Sequence, residues 1–198
     1  MILLKNKKLI CICGKAATGK DVLINMVSKE LGIPILVSHT SRPMRTNEIQ
    51  DESYHFISPE EFNQLLNNDK MLEHTTYNIK SENRIYHYGL CKDEVDKYPF
   101  ALVILNPHGI QQVLQSKYKD HLETILVDCD DRTRLIRYLQ RDKNTNVNEC
   151  IDRFHRDKKD FDDGDLYTDY IVYNDSILDK AYQQLKNIVI DIISEECL

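Results

Sequence analysis

The chain has 198 residues, of which 41% are hydrophobic and 29% charged, and this composition is typical of a soluble globular protein. Such a length is enough for one compact core with a small insert, and no linker suggests a second independent domain. The formal net charge of −6 argues against broad binding to nucleic acid or to anionic membranes, because both require a basic surface. Any phosphate binding must therefore come from local basic clusters.

The cysteines and the N-terminal stretch favour a reduced, cytoplasmic protein. The six cysteines lack the paired spacings of a zinc site, and Cys11 and Cys13 alternate along an apparent strand as small hydrophobes. The stretch MILLKNKKLICIC carries its charges in the middle and has no cleavage site, so it does not predict a signal peptide. No segment approaches the length of a membrane span. The acidic surface and an amphipathic last helix are compatible with a monomer and with a dimer.

Apolar runs that resemble strands alternate with amphipathic stretches, which is the pattern of a parallel α/β sheet. Five core strands are predicted, with the sequences KLICIC, IPILVS, FALVIL, ETILVD and DYIVYN. Helices are predicted over Lys20–Leu31, Gly109–Tyr118, Arg132–Arg141, Asn148–Phe161 and Ile177–Ile193. The last helix has apolar residues at helical spacing that should face the core, namely Ile177, Ala181, Leu185, Ile188 and Ile192.

Residues 39–98 interrupt this alternation. The segment is polar, rich in tyrosine and contains short β-like pieces, YHFIS, MLEHTTY and RIYHYG. We predict an inserted subdomain here, so that the core comprises residues 1–38 and 99–198. A second polar stretch, 142–148 (DKNTNVN), has arginines on both sides.

The stretch ICICGKAATGKDVL has the Gly-x4-Gly-Lys spacing of a phosphate-binding loop, between an apolar strand and a helix. Glycines let the backbone turn so that successive N–H groups point at a phosphate, and the helix adds its positive dipole end. A chance glycine turn would lack this strand–helix context. The predicted ATP-binding loop consists of Gly14, Lys15, Ala16, Ala17, Thr18, Gly19, Lys20 and Asp21, with Lys20 reaching the outer phosphates.

Two arginines predict a second phosphate site. Arg42 and Arg45 lie three residues apart and flank Pro43, which keeps the backbone extended or turned. Two guanidinium forks so placed can clamp one phosphate bidentately. Alone they would be an ordinary solvated pair, but a phosphate loop in the same chain favours the binding role.

The segment Val37–Ser58, VSHTSRPMRTNEIQDESYHFIS, resembles the segment of guanylate kinases that binds the acceptor phosphate, S-x-T-T-R-x-x-R-x-G-E followed by Y-x-F. The similarity continues through YHYGLCKDEV, FALVILNPHGIQQV, RYLQRD and DYIVYND over nearly the whole chain. The resemblance implies a P-loop kinase core, an acceptor-binding subdomain at 39–98 and a lid around 142–148. It also implies transfer of the γ-phosphoryl group of ATP, with Mg²⁺, to GMP or dGMP.

The resemblance also implies residue roles. The acceptor phosphate would be bound by Arg42, Arg45, Tyr54 and Tyr88, and the base by Ser38, Glu73 and Asn106. The transferring phosphoryl group would be surrounded by Lys20, Arg42, Arg137, Arg141 and Arg153, and Asn174 would lie beside the adenine of ATP. Packing roles for the two tyrosines, and an ordinary helix surface for Arg137 and Arg141, are the alternatives.

Four positions depart from the family pattern. Leu90 replaces a hydroxyl that would meet the guanine O6, and Asn106 and Ile104 replace two aspartates. Asp21 replaces the serine or threonine that ordinarily follows the loop lysine. A carboxylate is a good Mg²⁺ ligand, so Asp21 is predicted to contact the metal directly; N-capping of the following helix is the rival role.

These departures leave two alternatives open beside a guanylate kinase. A kinase of the same fold could act on another nucleoside monophosphate or on a ribosyl phosphate, although the Glu73 carboxylate favours guanine. A guanylate kinase-like binding module without catalysis is the second alternative. Retention of Lys20, Arg42 and Glu73 argues against it.

Overall fold

The computed structural model describes residues 7–45, 48–79, 84–140, 147–162 and 168–195. The strands are β1 Lys8–Cys13, β2 His39–Thr40, β3 His55–Phe56, β4 Met71–Ile79, β5 Arg84–Cys91, β6 Phe100–Ile104, β7 Leu122–Asp128 and β8 Tyr170–Tyr173. The α-helices are α1 Lys20–Leu31, α2 Pro59–Asn67, α3 Lys92–Asp96, α4 Pro107–Leu114, α5 Asp131–Gln140, α6 Val147–Asp162 and α7 Leu178–Glu195.

The main sheet is parallel throughout and has the strand order β6-β1-β7-β8. Strand β1 is central and almost entirely buried, because one apolar cluster packs on each of its faces. Helices α1 and α7 cover one face, and α4 contributes to the cluster on the other. The carboxyl ends of parallel strands share one edge, where such sheets bind ligands. The predicted parallel α/β class is confirmed.

The strand count differs from the predicted five. The run IPILVS makes a single parallel bridge, Ile35 with Leu102, and therefore is not a full strand. The Leu102 N–H donates to the Pro34 carbonyl, and the Leu36 N–H donates to the Leu102 carbonyl, each over 2.8 Å. Pro34 has no N–H of its own, so the ladder cannot extend toward the N-terminus.

A second sheet lies within residues 39–91 and has the order β3-β2-β5-β4. Strands β4 and β5 form an antiparallel pair with an irregularity between Met71 and Glu73. Helix α2 is an element that the β-like reading of this segment missed. Its signal is local: Ser58 and Glu61 form a reciprocal capping box, and Pro59 occupies the first turn.

The predicted core face of the last helix is confirmed at three positions and wrong at one. Ala181, Leu185 and Ile192 are buried, and Ile188 is partly buried against the same cluster. Ile177 is 54% exposed because the helix begins only at the following residue. Helix α4 also ends earlier than predicted, at Leu114, and a short 3-10 turn follows.

The predicted burial of Cys11 and Cys13 along a strand is confirmed, and three further cysteines are buried as well. Cys11, Cys13, Cys91, Cys129 and Cys150 are buried free thiols. Burial raises the pKa of the Cys13 thiol to about 12, so this side chain is an inert part of the core. Among the described residues, no helix combines the length and the apolar character needed to cross a lipid bilayer.

Candidate active site

Residues 14–19 of the predicted loop connect β1 to α1, and close approaches by neighbouring atoms require glycine at both ends of this connection. A Cβ on Gly14 would lie 2.4 Å from the Val127 carbonyl oxygen. Gly19 has a φ of 89° and is the N-cap residue of α1, and a Cβ there would lie 2.5 Å from Asn174 Nδ2. No side chain among the described residues caps the start of this helix, so its first backbone N–H groups are not engaged by a capping residue.

Two predicted site residues, Asn174 and Arg137, donate hydrogen bonds to the backbone of this loop. The carbonyl of buried Thr18 accepts a hydrogen bond from Asn174 Nδ2 over 2.8 Å and one from Arg137 over 3.4 Å. Asn174 is 2% exposed, and its Oδ1 atom has no hydrogen-bond partner among the described residues. A buried amide oxygen of this kind is costly unless a ligand satisfies it. The predicted contact of Asn174 with adenine stays a prediction.

The backbone N–H and the backbone carbonyl of Ala16 each form a hydrogen bond with a side chain that the sequence analysis did not predict to be part of the site. Its N–H donates to Asp157 Oδ2 over 2.7 Å, and its carbonyl accepts from Arg134 Nε over 2.9 Å. Arg134 and Asp157 also form an ion pair with each other. Both residues lie in helices rich in charged residues, and the sequence pattern of such helices is typical of a solvent-exposed surface. The sequence therefore gave no indication that these two side chains contact the loop.

Lys20 and Asp21 begin α1 directly after the loop. The Lys20 side chain is 16% exposed, and its Nζ lies 3.9 Å from a carboxylate oxygen of Asp21, whose side chain is 76% exposed. Asp21 is not the N-cap: Gly19 occupies that position and no side chain caps the helix. The rival capping role is therefore wrong, although an acidic residue in the first turn still complements the helix dipole.

Arg42 presents a bidentate fork, and a carboxylate binds to it. Arg42 NH1 and NH2 donate to the two carboxylate oxygens of Glu48 over 2.7 and 2.5 Å. The Arg42 fork lowers the pKa of Glu48 to about 2. Arg45 donates its backbone N–H to the same carboxylate over 2.8 Å, whereas its side chain is exposed. The Arg42 fork thus holds one carboxylate, without the Arg45 side chain, and the predicted clamping of a phosphate by both arginines stays a prediction.

Aromatic rings surround the Arg42 fork. Its guanidinium carbon lies 5.1 Å from the ring centroid of Tyr54, and Tyr54 meets Tyr88 edge-on at 5.8 Å. Tyr77, a residue missed at the sequence level, packs edge-on against Tyr88 at 5.6 Å. Burial raises the pKa of Tyr54, which keeps its phenol protonated and able to donate.

Glu73 carries a buried carboxyl group near the start of β4. It is 6% exposed, and burial raises its pKa to about 7. Its Oε2 approaches helix α4 so closely that a Cβ on Gly109 would lie 2.8 Å away. Leu90 pairs with Glu73 across the strands and is fully buried in the core, where it offers only apolar surface.

Asn106 caps α4 and links it to β4. Its Oδ1 accepts from the Gly109 N–H over 2.7 Å, and its Nδ2 donates to Thr75 Oγ1 over 3.1 Å and to the Tyr77 hydroxyl over 2.9 Å. Both amide protons are therefore occupied. Because the two hydroxyls accept from Asn106, their own protons can donate elsewhere.

The remaining predicted residues are less informative. Ser38 precedes β2, and its carbonyl accepts from the His55 N–H over 2.9 Å. Arg153 is partly buried on α6 beside Tyr138. Arg141 and most of the predicted lid, up to residue 146, lie outside the described residues, and Val147 and Asn148 begin α6.

A glycine loop at the carboxyl edge of a parallel sheet, together with a separate arginine fork, is the arrangement of a P-loop kinase. The guanylate kinase family model matches residues 6–192. The chain belongs to the guanylate kinase family.

Individual relatives extend over most of the chain. It is 25% identical to a guanylate kinase of Mycoplasmoides gallisepticum over 95% of each chain. It is 28% identical to one of Wigglesworthia glossinidia brevipalpis over 94% of this chain and 89% of the relative. The solved guanylate kinase of Anaplasma phagocytophilum has the same fold, with a TM-score of 0.62, 20% identity, and coverage of 94% of this chain and 85% of the other.

Proposed function

We propose that the protein transfers the γ-phosphoryl group of ATP to GMP, forming ADP and GDP. The observation that carries the proposal is the presence of two recognition features in the region of the second sheet. The Arg42 fork with Tyr54 and Tyr88 suits the phosphate of the acceptor, and the buried Glu73 carboxyl suits the N1–H and N2–H donors of guanine. The whole-length family match supports the same activity.

The mechanism is an in-line displacement, in which an oxygen of the GMP phosphate attacks the γ-phosphorus of ATP. Such transfer depends on positioning and positive charge more than on covalent chemistry. The loop N–H groups and Lys20 hold the donor phosphates, and Arg42 with Arg45, Tyr54 and Tyr88 orients the attacking phosphate. Arg137, Arg141 and Arg153 supply further positive charge, and residues 142–148 act as the lid that excludes water.

Members of this family need a divalent cation, and Mg²⁺ fits the residues at this position. Asp21 offers an exposed carboxylate beside Lys20, and its charge contributes, after burial and Tyr88, to the raised pKa of Tyr54. Bound Mg²⁺ would neutralise charge on the phosphates, and Asp21 would hold it in place of the usual hydroxyl.

Asp21→Asn should raise the Mg²⁺ concentration needed for half-maximal activity about tenfold, because a neutral amide is a weaker ligand for a hard cation. Steady-state rates at saturating ATP and GMP across a magnesium titration measure this. Asp179→Asn, in the first turn of α7, is the matched control and should leave the titration unchanged. An unaltered magnesium dependence of Asp21→Asn would remove Asp21 from the metal site.

A second candidate keeps the chemistry and changes the acceptor. Leu90 gives the base end an apolar wall, and the Asn106 amide protons are engaged by Thr75 and Tyr77. Both facts weaken the case that this site recognises a guanine base. They favour testing dGMP, other nucleoside monophosphates and ribosyl phosphates beside GMP.

The deciding measurement is ADP release from ATP and Mg²⁺ with this panel of acceptors. We expect the highest kcat/KM with GMP or dGMP. Preference for another acceptor would preserve the transfer chemistry and reassign the base-reading residues. ATP binding without turnover of any acceptor would favour the non-catalytic binding module.

We further propose a cytoplasmic location, for which the reduced thiols are the support.

A further inference from the structure

A glutamine of helix α4 binds the backbone of the edge strand β4 at His74. Strand β4 is the last strand in the order β3-β2-β5-β4, so it forms an edge of the second sheet. The His74 N–H donates to Gln112 Oε1 over 3.1 Å, and Gln112 Nε2 donates to the His74 carbonyl over 2.8 Å. In an antiparallel pair, the N–H and carbonyl of one residue point to the same side of the strand. The Gln112 amide therefore occupies the position that a further strand would take beside β4.

These two hydrogen bonds lie directly beside Glu73. Glu73 pairs with Leu90 across the strands, but the register of β4 is irregular between Met71 and Glu73. An irregularity of this kind interrupts regular pairing and changes the direction of nearby side chains. The strand ladder therefore constrains Glu73 less on its N-terminal side. The bonds to Gln112 fix the backbone on its C-terminal side.

The same face of α4 also makes room for the Glu73 carboxyl group. Gly109 and Gln112 are three positions apart in this helix, so they lie on one face. A Cβ on Gly109 would come within 2.8 Å of Glu73 Oε2, so the carboxyl group lies against the backbone of the helix. Helix α4 thus determines the position of the Glu73 carboxyl group and that of the backbone next to it.

We propose that Gln112 is a positioning residue for Glu73 and so helps to determine which base the protein accepts. A carboxylate recognises guanine only if its oxygens lie about 2.7–3.2 Å from N1 and N2 of the base. A displacement of about 1 Å at such a group is enough to weaken recognition strongly. Gln112 prevents that displacement by holding β4 against α4. The inference rests on the proposed function, in which Glu73 binds guanine.

The test compares kcat/KM for GMP with kcat/KM for IMP, using ADP release from MgATP. IMP keeps the N1–H of GMP and lacks the 2-amino group, so it can make one hydrogen bond fewer with the Glu73 carboxylate. Gln112→Leu removes both hydrogen bonds to His74 and keeps a side chain of similar size. We expect it to lower the ratio of the two kcat/KM values about tenfold, the effect of one hydrogen bond. The KM for ATP should stay within about twofold.

Two control variants separate this role from a general loss of structure. Gln111→Leu makes the same change at the adjacent, exposed position of α4. His74→Ala removes an exposed imidazole and keeps the backbone groups that Gln112 binds. Both should keep the ratio of GMP to IMP within about twofold of the wild type. A merely destabilising change would lower the rates with both acceptors together and leave their ratio unaltered.

A double-mutant cycle with Glu73→Gln tests whether Gln112 acts through Glu73. In the Glu73→Gln background, Gln112→Leu should cause no further decrease of the ratio, because the group that it positions has been changed already. An unchanged ratio in Gln112→Leu alone, or an equal decrease in both backgrounds, would overturn the inference. If the wild type does not prefer GMP to IMP, the proposed recognition of guanine fails and this inference fails with it.

The wild-type protein provides a second measurement that needs no variant to fold. A crystal structure with GMP should show both hydrogen bonds between Gln112 and His74 intact, with the Glu73 carboxylate in contact with the guanine base. Separation of Gln112 from His74 in a complex that keeps the contact of Glu73 with guanine would contradict the positioning role.

Discussion

Lys20→Met is expected to lower kcat about 100- to 1000-fold, the range seen when a single group that stabilises transition-state charge is removed. Lys20 stands at the N-terminus of α1, directly after the loop, with a side chain that is only 16% exposed. In the proposed mechanism, its ammonium group and the helix dipole would act on the same phosphates. Methionine preserves length and apolar packing, so the substitution removes the charge with little change in shape. Coupled steady-state assays with MgATP and GMP measure the effect.

The control for this substitution lies on the same helix. Lys29 is in the last turn of α1, and Lys29→Met should leave kcat within about twofold because that end is remote from the loop. Equal melting temperatures of the two variants would show that the loss is not one of folding. More than a tenth of wild-type kcat in Lys20→Met would remove this lysine from the transfer step.

Features fixed by local chemistry could be predicted from the sequence. The glycine spacing predicts the loop because Gly14 and Gly19 face backbone and side-chain atoms that leave no room for a Cβ. Helix α1 has the predicted bounds because Gly32, in the left-handed conformation, ends it. The stretch from Arg42 to Arg45 predicts a phosphate site built from two arginines; in the structure the terminal nitrogens of Arg42 alone bind the carboxylate of Glu48, and the phosphate role stays a prediction.

Features fixed by contacts between distant segments could not be predicted. Asp157 and Ala16 are 141 positions apart, and Asn106 and Thr75 are 31 apart, so no window of sequence contains either pair. The run IPILVS has a strand-like composition, but it forms only one bridge, to the edge strand β6. Pro34 lacks the N–H that a longer ladder would need. Burial of Arg134 is a property of the packed helices and is invisible in its charge-rich sequence.

Two carboxylates of the protein satisfy polar groups near the predicted phosphate sites. Glu48 binds the Arg42 fork, and Asp157 accepts a hydrogen bond from the Ala16 N–H of the loop. Each contact avoids the cost of a buried unpaired group. In the proposed function, an acceptor phosphate that binds the Arg42 fork would have to replace Glu48, so its affinity would be a difference between two anions rather than the strength of one contact.

Glu73→Gln should lower kcat/KM for GMP about 100-fold and abolish its pH dependence near neutrality. Guanine donates two protons at N1 and N2, and a carboxylate accepts both, whereas an amide accepts only through its oxygen. Burial raises the pKa of Glu73 to about 7, so the fraction of carboxylate grows as the pH rises through that value. In the wild type, kcat/KM should therefore rise from pH 6 to pH 8, whereas Glu73→Gln should stay flat.

The same pKa predicts the stability of the folded chain. Glu73 has a folded pKa of about 7 and an ordinary value of 4.5, so between these values the native state binds more protons than the unfolded state. Its contribution to stability is complete below about pH 4.5 and is lost as the pH rises through about 7. The loss amounts to about 3 kcal/mol, because each pKa unit corresponds to about 1.4 kcal/mol.

Urea unfolding at pH 5 and pH 8 measures this difference. Glu73→Gln, which has no proton to lose, should gain about 2.5 kcal/mol over the wild type between the two values, because part of the loss has already occurred at pH 5. Glu60→Gln, at an exposed position in the first turn of α2, should keep a constant difference from the wild type. A constant difference for Glu73→Gln as well would mean that the Glu73 carboxyl is ionised in the fold at both pH values, and the rise of kcat/KM would then need another titrating group.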